Sequence, residues 1–324
     1  MHAREATNNS GGALEIPTHS GADSSKIPGA RFVKCNLCGA DDPVIVFPKG
    51  YAQMHEIVRC RRCGLMYANP QEYVDSDDLA ARTGDAVYDP EMPIHRQYFQ
   101  KQKTQLPDNE RALRVLNQLF PGQGKLLEIG CFAGLFLNRI RADGWQVTGL
   151  EPDVVIGRYA RQRYGLEIVD GILPSGSLAA SSFDVVVLLH VIEHMPDPAA
   201  NVLEIRHLLR PGGVFVVETP RFNSLMFKIL GRRERSVQNC PGHIYFFTEQ
   251  TLRGMLERNG FKVFKTERVG RTLTLDRFLY NVGLVTRSPS LQGFFARAAR
   301  RLRLEKLHFY LNLRDMQRMY ARAV

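Results

Sequence analysis

From residue 125 onward, apolar and polar positions switch between two periods. Short apolar runs at 125–130, 146–151, 184–189 and 214–218 read as buried strands, and helical spacing at 135–142, 155–164 and 198–209 fills the gaps between them. A further helix at 251–259, capped by Thr248 and ended by Gly260, feeds a strand at 261–266, and 314–324 supplies a last strand. Strands alternating with helices predict an α/β fold: a mostly parallel sheet with helices on both faces. Ahead of it, 1–30 has no hydrophobic period and is expected to be a disordered tail. Residues 31–75 form a small β-like module, and 76–124 form a linker that turns helical towards Leu113, Leu116 and Leu119 before Pro121-Gly122 stops it.

The module carries four of the six cysteines, in Cys35-Asn36-Leu37-Cys38-Gly39 and Cys60-Arg61-Arg62-Cys63-Gly64. Each pair sets two thiolates on one side of a tight turn. Four thiolates close a tetrahedral site, so Cys35, Cys38, Cys60 and Cys63 read as a zinc ribbon whose Zn2+ is structural.

Charge narrows the partners. The chain has 43 Lys and Arg against 33 Asp and Glu, a net charge of +10, which suits nucleic acid, a phosphorylated substrate or an acidic membrane surface. The basic positions cluster at Arg232, Arg233 and Arg235, and again at Arg297, Arg300, Arg301 and Arg303. No run approaches the roughly 20 apolar residues of a membrane span. The start lacks the apolar core of a secretion signal, so the expected location is cytoplasmic. Segment 271–312 is predicted as a helical insertion, with Leu291, Phe294, Phe295, Ala298 and Leu302 at helical spacing. In 223–235, Leu225, Met226, Phe227, Ile229 and Leu230 likewise precede three arginines. These faces either pack on the domain, cover a substrate pocket or make peripheral membrane contact.

The ligand signal is Leu126-Leu127-Glu128-Ile129-Gly130-Cys131-Phe132-Ala133-Gly134: a strand, a turn of small residues, then a helix. About twenty residues on, Glu151 ends a second strand, where a carboxylate can accept both ribose hydroxyls of an adenosine ligand. A pyrophosphate-binding turn needs three glycines, but this one has two, with Phe132 in the middle position. That favours S-adenosylmethionine over a dinucleotide.

Segments 126–137, 147–153, 183–198, 209–220 and 243–261 resemble, in order and spacing, the motifs of class I Rossmann-like S-adenosylmethionine-dependent methyltransferases. The resemblance implies that Glu128, Gly130 and Gly134 cradle the methionine part and that Glu151 binds ribose. Cys131, Phe132, Pro152 and His190 lie in the same turns and complete the candidate cofactor-binding set. Phe132 departs from the family's small residue, and Asp170 is not a clear match for an adenine-contacting acid.

His190-Val191-Ile192-Glu193-His194 follows the fourth strand. The spacing matches a zinc-protease pattern, but it leaves a strand rather than lying on a helix, so that reading fails. Three readings stand: His194 or His190 as general base, the three side chains as a divalent-metal site, or loop ordering without chemistry. The run resembles Glu-x-x-Glu-His in quinone-biosynthetic O-methyltransferases, with His190 in place of the first Glu. His243 resembles a histidine implicated, with nearby Tyr and Glu, in sugar C-methyltransferases that also carry a zinc module; Cys240 and Gly242 stand beside it here instead. His194, His243 and His190 are thus the catalytic candidates. Cys131 and Cys240 carry no spacing signal and read as structural thiols.

The combined expectation is methyl transfer from S-adenosylmethionine to a small-molecule, sugar or lipid-linked acceptor, at oxygen or carbon. An RNA methyltransferase using the ribbon to hold RNA, and a non-catalytic module that keeps the fold, are the competing readings. Against base modification, no Asn/Asp-Pro-Pro-aromatic signature follows the fourth strand.

Overall fold

The fold is seen in a computed structural model, which describes residues 30–48, 56–72, 88–89, 93–238, 240, 242–275, 278–279, 293, 298 and 307–324. Residues 1–29 of the predicted tail, 49–55 and 73–75 of the cysteine module, 76–87 and 90–92 of the linker and most of the predicted insertion lie outside these residues, while Ala30, expected to end the tail, lies in a strand.

The cysteine module holds β1 (Ala30–Arg31), β2 (Pro43–Phe47), β3 (Ile57–Cys60), β4 (Met66–Ala68) and β5 (Gln71–Glu72). Helix α1 (Pro93–Leu119) leads into β6 (Lys125–Ile129), α2 (Leu135–Arg141), β7 (Gln146–Glu151), α3 (Val154–Tyr164), β8 (Glu167–Asp170) and β9 (Phe183–Leu189). Then come α4 (Pro198–Leu208), β10 (Leu209–Pro220), α5 (Leu225–Leu230), α6 (Arg235–Gln238), β11 (Tyr245–Phe246), α7 (Glu249–Arg258), β12 (Phe261–Thr274) and β13 (His308–Ala323).

Seven strands form the central sheet in the order β12-β13-β10-β9-β6-β7-β8. Strands β10, β9, β6, β7 and β8 run parallel, while β13 is antiparallel to both its neighbours. Side chains alternate between two cores. Leu127, Ile129, Val186, Leu188, Phe215 and Val217 face one core, which also takes in Cys35, Ile57 and Tyr67 of the cysteine module. Leu126, Val185, Val187, Val214 and Val216 face the other, under Leu113 and Leu116 of α1 and Phe136 of α2. Burial on both faces explains why these strands are continuous Val/Leu runs.

Caps set the turns at the carboxyl end of the sheet. Asp153 caps α3 by accepting from Val155 N and Ile156 N, and Asp197 caps α4 ahead of Pro198. Thr248 and Thr251 form a reciprocal capping box on α7, as the sequence predicted for Thr248.

One prediction needs correcting at its edges. Residues 271–274 and 308–312, placed in a helical insertion, extend β12 and β13 instead. Gly270 lies at a bulge between them: a Cβ there would run into Leu311 O and Asn312 Cα across the pair. The short β8 was also missed, having only four residues.

Candidate active site

The strand order reverses between β6 and β9, and ligand crevices in parallel sheets open at the carboxyl ends beside such a point. Glu128, one residue from the end of β6, is 3% exposed, and its Oε2 accepts no hydrogen bond among the described residues. Gly130 and Gly134 both have positive φ. A Cβ on Gly130 would lie 2.6 Å from Val191 Cγ2, and one on Gly134 would lie 2.6 Å from Leu166 Cδ1. Both positions are therefore strained for any residue but glycine, and at Gly130 the branched Val191 side chain also takes the space a Cβ would need.

Phe132 also takes positive φ, at 51°, a conformation costly for a bulky residue. Its N–H donates to Glu151 Oε2 at 2.7 Å, and its ring meets Tyr88 edge-on at 5.8 Å. Tyr88 in turn packs on Tyr159, which also meets Phe99 of α1. Gln102 of α1 donates to the Cys131 carbonyl at 3.1 Å. The Phe132 ring thus joins an aromatic cluster under α1. No periodicity pointed to Tyr88, Phe99, Gln102 or Tyr159.

Glu151 Oε1 accepts from Asp153 N–H at 3.1 Å, and Pro152 lies between them. The Cys131 thiol points the other way, into the core beside Leu137 and Ile168, so its side chain is structural. Asp170 is paired with Arg161. Burial pushes Glu151 up from 4.5 to about 7; burial and then Glu151 push Glu128 well above its ordinary value. A carboxyl with a raised folded pKa supports the fold below its unfolded value and loses that support as pH climbs through the folded one. Relative to Glu151→Gln, the unliganded protein should therefore lose about 3 kcal/mol of stability between pH 4.5 and 7. Urea unfolding across that window checks it; a flat difference would refute the buried carboxyl.

On the other side of the crevice, His190 directly follows β9 with φ 60°. Its Nε2 lies 3.3 Å from Glu218 Oε1, and its Nδ1 lies 3.9 Å from Glu193 Oε1. Glu218 is locked from behind: Arg318, fully buried on β13, donates through Nε to Glu218 Oε2 at 2.6 Å and through Nη2 to the Asp108 carbonyl.

Glu193 and His194 sit in a 3-10 turn, Ile192–His194. Glu193 is fully buried; its Oε2 accepts from the Thr219 hydroxyl at 2.8 Å, and its Oε1 accepts no hydrogen bond among the described residues. His194 Nδ1 lies 2.6 Å from the Gly242 carbonyl, which can only accept, so Nδ1 carries the proton and Nε2 the lone pair. The His194 and His243 rings stand nearly perpendicular, 4.6 Å apart. Ligand-capable atoms of Glu193, His194 and His243 all lie within 4.8 Å of one another. The sequence grouped His190 with Glu193 and His194, whereas the structure brings in His243 and turns His190 towards Glu218. Glu193, distant in sequence, is the carboxylate that the fold brings near His243.

The four module cysteines converge as the sequence predicted. Cys35 and Cys63 sulfurs are 3.4 Å apart, and those of Cys38 and Cys60 are 3.6 Å apart. A tetrahedron of thiolates around Zn2+ at about 2.3 Å has edges of about 3.8 Å, so the cluster is close to that size. The group is compatible with a zinc ribbon. Cys240 is buried apart from it.

Helix α5 packs Phe227 against Phe47 and Phe222, while Leu225 and Ile229 are 67% and 53% exposed. One face therefore packs, and the other presents apolar side chains beside exposed Arg232. The second arginine cluster lies outside the described residues. No described helix is long and apolar enough to cross a membrane.

Residues 96–266 match the family model described as a methyltransferase domain. A Mycolicibacterium smegmatis protein named "Probable S-adenosylmethionine-dependent methyltransferase" is 37% identical over 142 residues, covering 44% of this chain and 53% of the relative. A Cereibacter sphaeroides ubiquinone biosynthesis O-methyltransferase is 35% identical over 120 residues, 35% of this chain and 49% of that one. The chain spans about half the length of these curated relatives. Among solved structures, a chain of the Haloferax volcanii complex between the Trm112 methyltransferase activator and a methyltransferase shares the fold. It matches at TM-score 0.51 and 14% identity, covering 76% of this chain and 97% of that one.

Proposed function

The chain belongs to the methyltransferase domain family, and from that membership we propose that it moves the methyl group of S-adenosylmethionine to oxygen or carbon of a small-molecule, sugar or lipid-linked acceptor. The observation that carries this reading is the pair of buried carboxyl groups, Glu128 and Glu151, at the ends of adjacent strands around a turn whose positive-φ positions are held by Gly130 and Gly134. The unsatisfied Glu128 Oε2 suits a cationic ammonium group, which would relieve the cost of burying it. Glu151 has lone pairs left after its two backbone bonds, enough for ribose hydroxyls. When bound, the cofactor supplies an electrophilic methyl on a sulfonium. The chain's own work is then to align the acceptor and take its proton.

His194 is the better placed of the candidate bases, because Gly242 holds its proton on Nδ1 and leaves Nε2 to accept. His243 shares that site, and His190 sits behind it between two carboxylates. A second reading is favoured by the orphan Glu193 Oε1: a divalent cation held by Glu193, His194 and His243, which would orient an acceptor oxygen. The four module cysteines fit Zn2+ in size and donor type, and all four positions are filled by protein, so that metal is structural.

Calorimetric titration of the zinc-loaded protein with S-adenosylhomocysteine tests the proposal. Saturable binding is expected, with Glu151→Ala weakening it about 100-fold through lost charge-assisted bonds. No binding by the parent protein would overturn the methyltransferase reading and favour a binding module that keeps only the fold. RNA that protects the cysteine module from cleavage would instead favour an RNA acceptor.

A further inference from the structure

His194 closes a three-residue 3-10 turn, and His243 precedes a two-residue strand. Elements this short cannot fix a side chain by their own hydrogen bonds. Their support comes from the cysteine module. The Ala68 N–H of β4 donates to the Ile244 carbonyl at 2.8 Å, and the Ile244 N–H donates to the Glu193 carbonyl at 2.8 Å. One line of bonds therefore runs from the module, through the residue after His243, to the residue before His194. Strand β11 is the outer strand of the module's own sheet, in the order β11-β4-β3-β2, with Tyr245 opposite Tyr67 and Phe246 opposite Met66.

A second attachment lies on the far side of His194. Asn36, between the first two cysteines, donates through Nδ2 to Asp197 Oδ1 at 2.8 Å and accepts through Oδ1 from the Ala199 N–H at 2.8 Å. Asp197 is the cap of α4, so Asn36 grips the first turn of that helix just past His194. Gln71 adds a third tie, donating to the Tyr245 hydroxyl, which donates to the Pro196 carbonyl. The cofactor-cleft residues Glu128, Gly130, Gly134 and Glu151 make none of these contacts.

We infer that the cysteine module is the positioning element of the acceptor side: Asn36 and Ala68 pin the two loops so that His194 keeps its proton on Nδ1, facing Gly242. A ring held in one tautomer presents Nε2 as the acceptor in every molecule, whereas a loosened ring divides between tautomers. Asn36 is thus a positioning residue that acts through Asp197 and Ala199. The inference relies on the methyl-transfer reading only for what the histidine does once positioned.

The test uses zinc-loaded full-length protein with 15N-labelled histidine, comparing the parent with Asn36→Ala. In the parent, His194 should be protonated at Nδ1. In Asn36→Ala it should shift towards the Nε2–H form that imidazole favours in water, and amide exchange over 191–199 should speed up about tenfold. Affinity for S-adenosylhomocysteine should stay within about twofold, because the cleft is remote from Asn36. Asn36→Asp keeps the size but sets a carboxylate against Asp197, and should produce the same tautomer shift. An unchanged tautomer and unchanged exchange in both variants would overturn the positioning role. So would a joint collapse of cofactor affinity, zinc content and thermal midpoint, which would mean that Asn36 only stabilises the fold. Absence of S-adenosylhomocysteine binding in the parent is a different result: it overturns the activity and leaves the tautomer measurement standing.

Discussion

Replacing Arg318 with methionine should cost about 3–5 kcal/mol of stability, the range seen when one partner of a buried ion pair is removed. Arg318 has no exposure, and its Nε meets Glu218 at 2.6 Å, with Glu267 at 3.6 Å from Nη1. Burial alone would push Glu218 up; Arg318 overrides it, and with His190 holds Glu218 down at about 2. The same pair holds Arg318 above its ordinary value against its own burial. Without Arg318, Glu218 is left buried and charged, or must take up a proton.

The sign follows from the depressed Glu218. A carboxylate at about 2 in the fold and 4.5 unfolded lends stability above 4.5 that is lost as pH falls towards 2. In Arg318→Met that contribution disappears, so the variant should show a weaker acid limb on a lower plateau. Adding Glu218→Gln should recover part of the loss, since no buried charge is then left alone. Urea unfolding of the four proteins closes the cycle. A loss below about 1 kcal/mol would mean that water reaches the pair and would remove Arg318 as the anchor behind His190.

That anchor shows where the sequence stops being legible. The strands announced themselves as Val/Leu runs, and Glu128 and Glu151 could be placed at strand ends because position along a strand is local information. The cap Thr248 was legible for the same reason, and so were the cysteine pairs, each confined to one turn. Arg318 and Glu218 are a hundred residues apart and meet only because β13 inserts beside β10. His243 reaches Glu193 only because β11 leaves the α/β stretch to join the cysteine module's sheet. Tyr88, Phe99 and Tyr159 cluster on Phe132 from a stretch that reads as linker and from the face of α3, with no repeat linking them. The strand over 261–266 was cut short for a similar reason: its extension to Thr274 depends on pairing with β13, and only there does the partner backbone press on Gly270.

Stripping the metal from the cysteine module should have the largest effect of all. Zinc binding by small thiolate modules is worth about 10–16 kcal/mol, because the ligands are gathered only in the fold. Here the module shares one core with the central sheet: Cys35, Ile57 and Tyr67 pack in the same cluster as Leu188, Phe247 and Leu252. The loss should therefore spread beyond the four cysteines. With a strong chelator, Cys35, Cys38, Cys60 and Cys63 become titratable by a thiol reagent, β2 to β4 lose exchange protection, and the thermal midpoint falls. Protection over 242–247 should go with them, since β11 loses its partner β4. The cleft around Glu128 and Glu151 rests on α1 and the opposite core, so S-adenosylhomocysteine should still bind, within about tenfold of the parent. Cys60→Ser should behave like the chelated protein, because three thiolates no longer close the tetrahedron. Protein that is purified without zinc, and whose melting and exchange ignore the chelator, would show that the module folds on its packing alone. In that case the cysteine spacing reflects a thiol cluster and not a metal site.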